Sequence, residues 1–165
     1  MRGSVEEATA ADVLAIADLN VAAYREYARR LGTDPWGAME KNLRGVARLT
    51  GWAKFLVVRT PRSLAGSIGY CPPGKSDPGV FEADWASVVL LAVSPRHRRH
   101  GIGRALVRDC IRRARDDRAP VLGLFTSELM TGAAALYESV GFRHDRELPP
   151  RYGVRYWRLR LDLPA

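Results

Sequence analysis

Between Val93 and Leu106 the chain reads VSPRHRRHGIGRAL, with four arginines and two histidines around the glycines Gly101 and Gly103. An apolar run ends at Val93 and a helical period starts near Gly103. A turn that joins a buried strand to a helix leaves several backbone N–H groups unpaired and pointing the same way. Those groups, the positive end of the helix dipole and the missing Cβ atoms at 101 and 103 together suit an anion such as phosphate. Two better-known phosphate motifs do not fit: Leu106 occupies the third glycine position of a dinucleotide fingerprint, and the lysine of a P-loop is absent. A plain solvated basic turn is the competing reading. His97, His100 and His144 are scattered with no partner at triad or metal spacing, and Cys71 and Cys110 form no CxxC pair. No metal site is therefore expected, and both thiols are expected to be reduced.

The elements that must hold this turn can be read from periodicity. A short strand near Val5 precedes Thr9 and Asp12, a capping-box-like pair, and Val13, Ile16, Leu19 and Ala23 then recur at helical spacing. That helix is expected to reach Leu31 and stop at Gly32, and Asp34-Pro35 starts a second one that runs to Gly51. AKFLVVR (53–59) and LAGSIGY (64–70) read as a hairpin, and WASVVLLAV (85–93) as a strand covered on both faces. From Gly103 to Asp117, Val107, Cys110, Ile111 and Ala114 share one helical face and Arg104, Arg108, Arg112 and Arg115 the other. APVLGLFT (119–126) is a second buried strand, and a helix from about Leu129 to Val140 ends at Gly141. A last strand, VRYWRLRLDL, alternates Trp157, Leu159 and Leu161 inward with Arg158 and Arg160 outward. The strand, helix, strand unit over 85–126 predicts a parallel crossover in a mixed sheet.

Length and composition bound the functions on offer. The 165 residues, 47% hydrophobic and 27% charged, suit one globular domain spanning 1–165. No apolar stretch is long enough to cross a membrane and the N-terminus has no secretory pattern, so a cytoplasmic location is expected. The formal charge of +8 comes almost wholly from arginine and is spread along the chain, concentrating only over 96–118. Spread charge serves solubility, so the arginine face of the 103–118 helix reads as solvated and nucleic acid is disfavoured as a partner.

The run R-x-x-G-x-G (Arg98 to Gly103) after an apolar strand, with AAALYESVGF some thirty residues later, resembles the GNAT acyltransferase superfamily. The resemblance is strongest over 88–143 and extends, through the order of elements, to almost the whole chain. It implies an α/β (α+β) fold, a mixed central sheet of about six to seven strands flanked by four helices. It implies acetyl-CoA as acyl donor, with its diphosphate on the backbone of about Arg99, His100, Gly101, Ile102, Gly103 and Arg104, and Arg98 in the same motif. The pantetheine arm is then expected beside Leu91, Ala92 and Val93, where this strand splays from that at 121–126. Family members often use the tyrosine at the position of Tyr137 to protonate the departing thiolate. Many carry Asn seven residues earlier, where this chain has Met130, expected to form an apolar wall.

The acceptor side is less legible. Some relatives place Glu where this chain has Ser87, a poor base, so deprotonation of the amine is expected to run through water, with Glu82, Asp84 or Glu128 as candidates. Tyr24, Tyr27, Trp36 and Tyr70 are candidates to line the acceptor cleft. The function that results is N-acetyl transfer to a primary amine by direct attack, without metal or covalent intermediate. The alternatives are a fold that binds acyl-CoA without turnover and a basic nucleic-acid module. A homodimer through the C-terminal strand region is compatible with the resemblance.

Overall fold

A computed structural model describes residues 3–165. In chain order the elements are β1 (Val5–Glu7), α1 (Val13–Tyr24), α2 (Ala28–Leu31), α3 (Thr33–Arg44), α4 (Val46–Leu49), β2 (Lys54–Arg59), β3 (Leu64–Cys71) and β4 (Ala86–Val93). There follow α5 (Ile102–Asp116), β5 (Val121–Ser127), α6 (Thr131–Ser139), β6 (Arg143–Arg151) and β7 (Val154–Asp162). All seven strands join one mixed sheet in the order β1-β2-β3-β4-β5-β7-β6, with β4 and β5 as its parallel pair. The expected class and strand number are observed. The four longer helices, α1, α3, α5 and α6, are the expected ones, and α2 and α4 add a turn each. None of the described helices is long and apolar enough to cross a membrane.

Two faces of the sheet are covered for separate reasons. The apolar stripe of α5 (Leu106, Val107, Cys110 and Ala114 among it) packs on Leu56, Ile68, Val88 and Leu122, and leaves Arg108, Arg112 and Arg115 in solvent. Ile16 and Leu19 of α1 and Val46 of α4 cover Phe55 and Val57 on the other face. Side chains one apart on β2 therefore serve opposite layers, as strand geometry requires.

Four expectations are corrected. The first helix does not run unbroken to Leu31: a 3-10 turn at Arg25–Tyr27 interrupts it, and the second breaks at Gly45. β6 has no counterpart among the strands read from periodicity, and its sequence RHDRELPPR shows no alternating apolar face and carries Pro149 and Pro150. It lies at the sheet edge, and both prolines fall in the register shift between Leu148 and Arg151, where neither has a ladder partner on β7. Arg158 does not point outward to solvent but is 5% exposed. β7 lies inside the sheet, and the segment before β4 folds across its second face. There the Arg158 guanidinium sits 4.4 Å from the centre of the Trp85 ring, donates to the Val80 carbonyl at 2.8 Å, and pairs with Asp145 and with Glu82 at 3.1 Å.

The N-terminal strand and helix are tied to β2 by one carboxylate. Asp12 accepts two bonds from the Arg59 guanidinium, at 2.8 and 2.6 Å, and one from the Thr9 N–H at 2.8 Å. The Arg59 bonds first, and the Thr9 bond next, hold its carboxyl at about 2, below the ordinary 3.8. A depressed folded-state value adds stability that is complete above the ordinary value and lost as pH falls toward 2. Asp12→Asn is expected to lower the unfolding free energy by about 1–2 kcal/mol at neutral pH. In urea titrations the gap between variant and wild type should close as the pH is taken from about 4 to about 2.

Candidate active site

β4 and β5 are paired only at Ala86↔Leu122 and Ser87↔Gly123. Beyond that point β5 stays with β7 as far as Ser127 and β4 stays with β3, so the two parallel strands part. The cause lies in β4. Its ladder with β3 passes from Val89↔Gly69 to Ala92↔Ser67, which sets Leu90 and Leu91 against the single residue Ile68. Leu90 takes φ of 53°, a left-handed value that costs a branched residue about 1–3 kcal/mol. This bulge turns the strand out of register with its parallel neighbour.

The splay opens into a cavity of about 620 Å³. Val88 to Leu91 of β4 and Leu124 to Thr126 of β5 form its base, with Met130, Ala133 and Tyr137 on the α6 side and Tyr24 on the α1 side. Beyond the strands it is bounded by Asn42 and Arg48, by Trp52, by Cys71 and Lys75 at the end of β3, and by Arg151 and Tyr152 at the tip of the β6–β7 hairpin. Cys71 is level with Ser87 and Gly66 with Val93, so the segment after β3 and the turn after β4 stand at opposite ends of one strand, about 20 Å apart.

The turn after β4 has the form an anion site needs. Arg99 and Gly101 both have positive φ, 66° and 77°, and a Cβ at Gly101 would meet nothing within 4 Å. The first backbone bond of α5 runs from Ala105 N–H to the Gly101 carbonyl at 3.0 Å, so the N–H groups of Ile102, Gly103 and Arg104 precede the helix ladder. Gly103 works differently from the expectation. A Cβ there would lie 3.1 Å from Leu136 and 3.5 Å from Val93, so this glycine admits α6 and β4 against the helix and does not clear space for a ligand. The Arg98 side chain is also engaged within the protein, donating to the Ala23 carbonyl at 2.9 Å and pairing with Glu26, while Arg104 donates to Ser139 at 2.9 Å. His100 is exposed at the turn, and Ala92 is buried under α1.

Four tyrosines line the cavity, Tyr24, Tyr137, Tyr152 and Tyr156. Tyr24 donates to the Leu91 carbonyl at 2.9 Å and Tyr152 accepts from Asn42, while the Tyr156 ring packs against Phe125 at 6.1 Å. Tyr137 is the one on the α6 side. Its ring packs edge-on against Phe142 at 5.7 Å, and among the described residues its hydroxyl has no hydrogen-bond partner. Burial pushes its phenol above the ordinary tyrosine value, with Cys110 and Tyr27 as smaller causes, so it stays protonated at neutral pH.

The carboxylate candidates do not converge on the cavity. Glu82 is paired with Arg158, Glu128 accepts a long bond of 3.4 Å from the Arg155 N–H, and neither they nor Asp84 line it. Ser87 is fully buried with its hydroxyl 2.8 Å from that of Ser76. Since Ser76 donates to the Trp85 carbonyl at 3.0 Å, Ser87 is the donor in that pair and has no proton-accepting role toward the cavity. Tyr70 is also removed from the acceptor side. It points to the α5 face, where its hydroxyl donates to Asp117 at 2.7 Å, and its neighbour Cys71 faces the cavity instead. Tyr27 and Trp36 pack with Leu31 and Leu43 outside the cavity wall. Sequence reasoning missed Arg48, Trp52, Lys75, Arg151 and Tyr152, which come from four separate segments with no shared motif. Among the described residues no group of three or more His, Cys, Asp or Glu could hold a metal ion.

Comparison with known proteins places the chain in a family. The model of the acetyltransferase (GNAT) family matches residues 24–142. N-acetyltransferase 8B of Rattus norvegicus is 30% identical over 116 residues, which are 67% of this chain and 51% of that protein. N-acetyltransferase 8F1 of the same species is 41% identical over 111 residues, 67% of this chain and 48% of that protein. The chain thus spans about half the length of these curated relatives. Among solved structures, the PaiA N-acetyltransferase of Thermoplasma acidophilum, in complex with coenzyme A, superposes with a TM-score of 0.75. The match covers 99% of this chain and 100% of that one at 13% identity, a likeness of fold.

The raised phenol of Tyr137 has a direct readout. In an ultraviolet alkaline titration, Tyr137→Phe is expected to remove absorbance change only above the ordinary tyrosine range near pH 10. Loss of amplitude at or below that pH would mean an exposed, ordinary phenol.

Proposed function

Since this chain belongs to the GNAT family of acetyltransferases, we propose that it moves the acetyl group of acetyl-CoA directly onto the primary amine of an acceptor. The observation that carries this reading is the splay itself. At one place it offers a strand edge without a partner, a protonated phenol without a hydrogen bond, and, at the end of the same strand, a turn of free N–H groups.

Each residue's part follows from where it lies. The N–H groups from Arg99 to Arg104 hold the diphosphate, which reaches them because residue 101 has no Cβ and the space beside it is open. The backbone of Leu91, Ala92 and Val93 meets the amides of the pantetheine arm, an edge unused by β5, and Met130 provides an apolar wall. A strand N–H near Val93 steadies the carbonyl oxygen. Acetyl-CoA supplies an acyl thioester, whose carbon gains a bond to the amine nitrogen, loses its bond to sulfur and releases CoA. Tyr137 holds the proton that the sulfur takes.

The amine must be neutral to attack. Among the described residues Asp77 is the one carboxylate on the cavity wall, and its Oδ1 accepts the Gly79 N–H at 2.8 Å; no carboxylate is dedicated to the amine, whose proton leaves through water. Arg48, Lys75 and Arg151 on the same wall favour the neutral form of a nearby amine by like-charge repulsion. Burial raises the Cys71 thiol, which keeps it protonated and makes it unsuited to carry an acyl group.

The deciding experiment is thiol release from acetyl-CoA across a panel of amines, and no release from any of them, with CoA still bound, would leave a binding protein without turnover. Gly101→Glu sets bulk and negative charge where the diphosphate lies, and calorimetry should detect no acetyl-CoA binding to the folded variant. Unchanged affinity would move the cofactor elsewhere. Tyr137→Phe keeps the packing against Phe142 and removes the proton donor. Its kcat should fall about 10²- to 10⁴-fold with little change in CoA affinity. Single-turnover rates equal to wild type would make Tyr137 a packing residue.

A further inference from the structure

The C-terminal end of α1 is joined to the β4–α5 segment at two points, and one of them lies on the bulge. Leu90 and Leu91 have no ladder partner on β3 or β5. The Leu91 carbonyl instead takes the Tyr24 hydroxyl proton at 2.9 Å, a contact between residues 67 apart in the chain. One residue back along α1, the Ala23 carbonyl accepts from Arg98 at 2.9 Å, and Glu26 pairs with the same guanidinium. The helix end therefore grips both the bulge and the turn that follows the strand.

We propose that Tyr24 is a positioning residue for acyl transfer: by fixing the Leu91 carbonyl it sets the orientation of the bulged peptides that face the acetyl group. This rests on the proposed function. The Leu91 carbonyl shares a planar peptide with the Ala92 N–H, and Ala92 is where the ladder with Ser67 of β3 resumes after the bulge. The Tyr24 bond therefore fixes the end of that peptide that points away from β3, on the side of the bulge that the ladder does not hold. Burial raises the Tyr24 phenol, so the donor keeps its proton under all ordinary conditions. The neighbouring Tyr27 ring stacks edge-on at 6.0 Å and holds the Tyr24 ring without sharing its hydroxyl contact. Tyr24 lines the cavity and was expected on the acceptor side, but its one polar contact is with the strand that meets the donor.

The test separates placement of the acetyl group from integrity of the fold. CoA and acetyl-CoA differ only in the acetyl group, so the ratio of their Kd values reads that group alone. Calorimetry on Tyr24→Phe is expected to leave CoA affinity within about threefold of wild type while acetyl-CoA weakens a further fivefold or more. With an amine that wild type acetylates, kcat should fall about tenfold or more. Tyr27→Phe is the matched control and should leave both quantities unchanged, and thermal unfolding should place both variants close to wild type. An unchanged ratio with unchanged kcat overturns the role of Tyr24. An equal weakening of both ligands together with a lowered Tm also overturns it, in favour of a purely structural contact. Failure of wild type to bind either ligand overturns the proposed function itself, and is distinguishable because it appears before any substitution is made.

Discussion

The architecture depends on a parallel strand pair that is closed at one end and forced open at the other. Two residue pairs hold β4 to β5, and past Ser87 the left-handed Leu90 and the extra residue at the bulge carry β4 away from its neighbour. A sheet interior does not ordinarily tolerate unpaired backbone, since each buried polar group left without a partner costs about 1–3 kcal/mol. The surrounding elements are arranged to support that cost. β7 pairs along the whole of β5 and β3 pairs with β4 on either side of the bulge, α6 and α1 wall the gap, and Tyr24 occupies one of the exposed carbonyls.

Charge is used in two ways around this gap. Several arginines near the sheet serve as fasteners: Arg59 ties α1 to β2 through Asp12, Arg98 ties the turn to α1, and Arg158 pins the segment before β4 across β7. Arg48, Lys75 and Arg151 stand on the cavity wall, the last with its guanidinium 4.7 Å from the Phe125 ring centre. A count of +8 does not distinguish fasteners from cavity cations, which is why composition said little about the site.

What could be read from sequence was what local periodicity and motif spacing encode. The α5 stripe, the apolar β4 and β5, and the glycine turn between them were all legible, and with them the class of fold. The misses share a cause in long-range packing. Arg158 was read as outward because its strand alternates, yet another segment covers that face. Tyr70 and Cys71 differ by one position in a strand whose burial is uniform along its length, so nothing local tells which of them meets the cavity. Gly103 matched a phosphate motif but clears room for Leu136, a contact between two helices that spacing alone does not reveal. The bulge itself leaves no mark in WASVVLLAV, where leucine takes the conformation normally left to glycine.

The central claim is that the open edge of β4 is where the acyl donor lies. Amide hydrogen exchange of the free protein and of the protein with saturating acetyl-CoA tests it most directly, followed over peptides that cover 88–93 and 99–104. The account predicts that these two stretches slow together on binding, while the paired strands β2 and β3 change little. Slowing confined to other segments, with 88–93 exchanging as before, would contradict it.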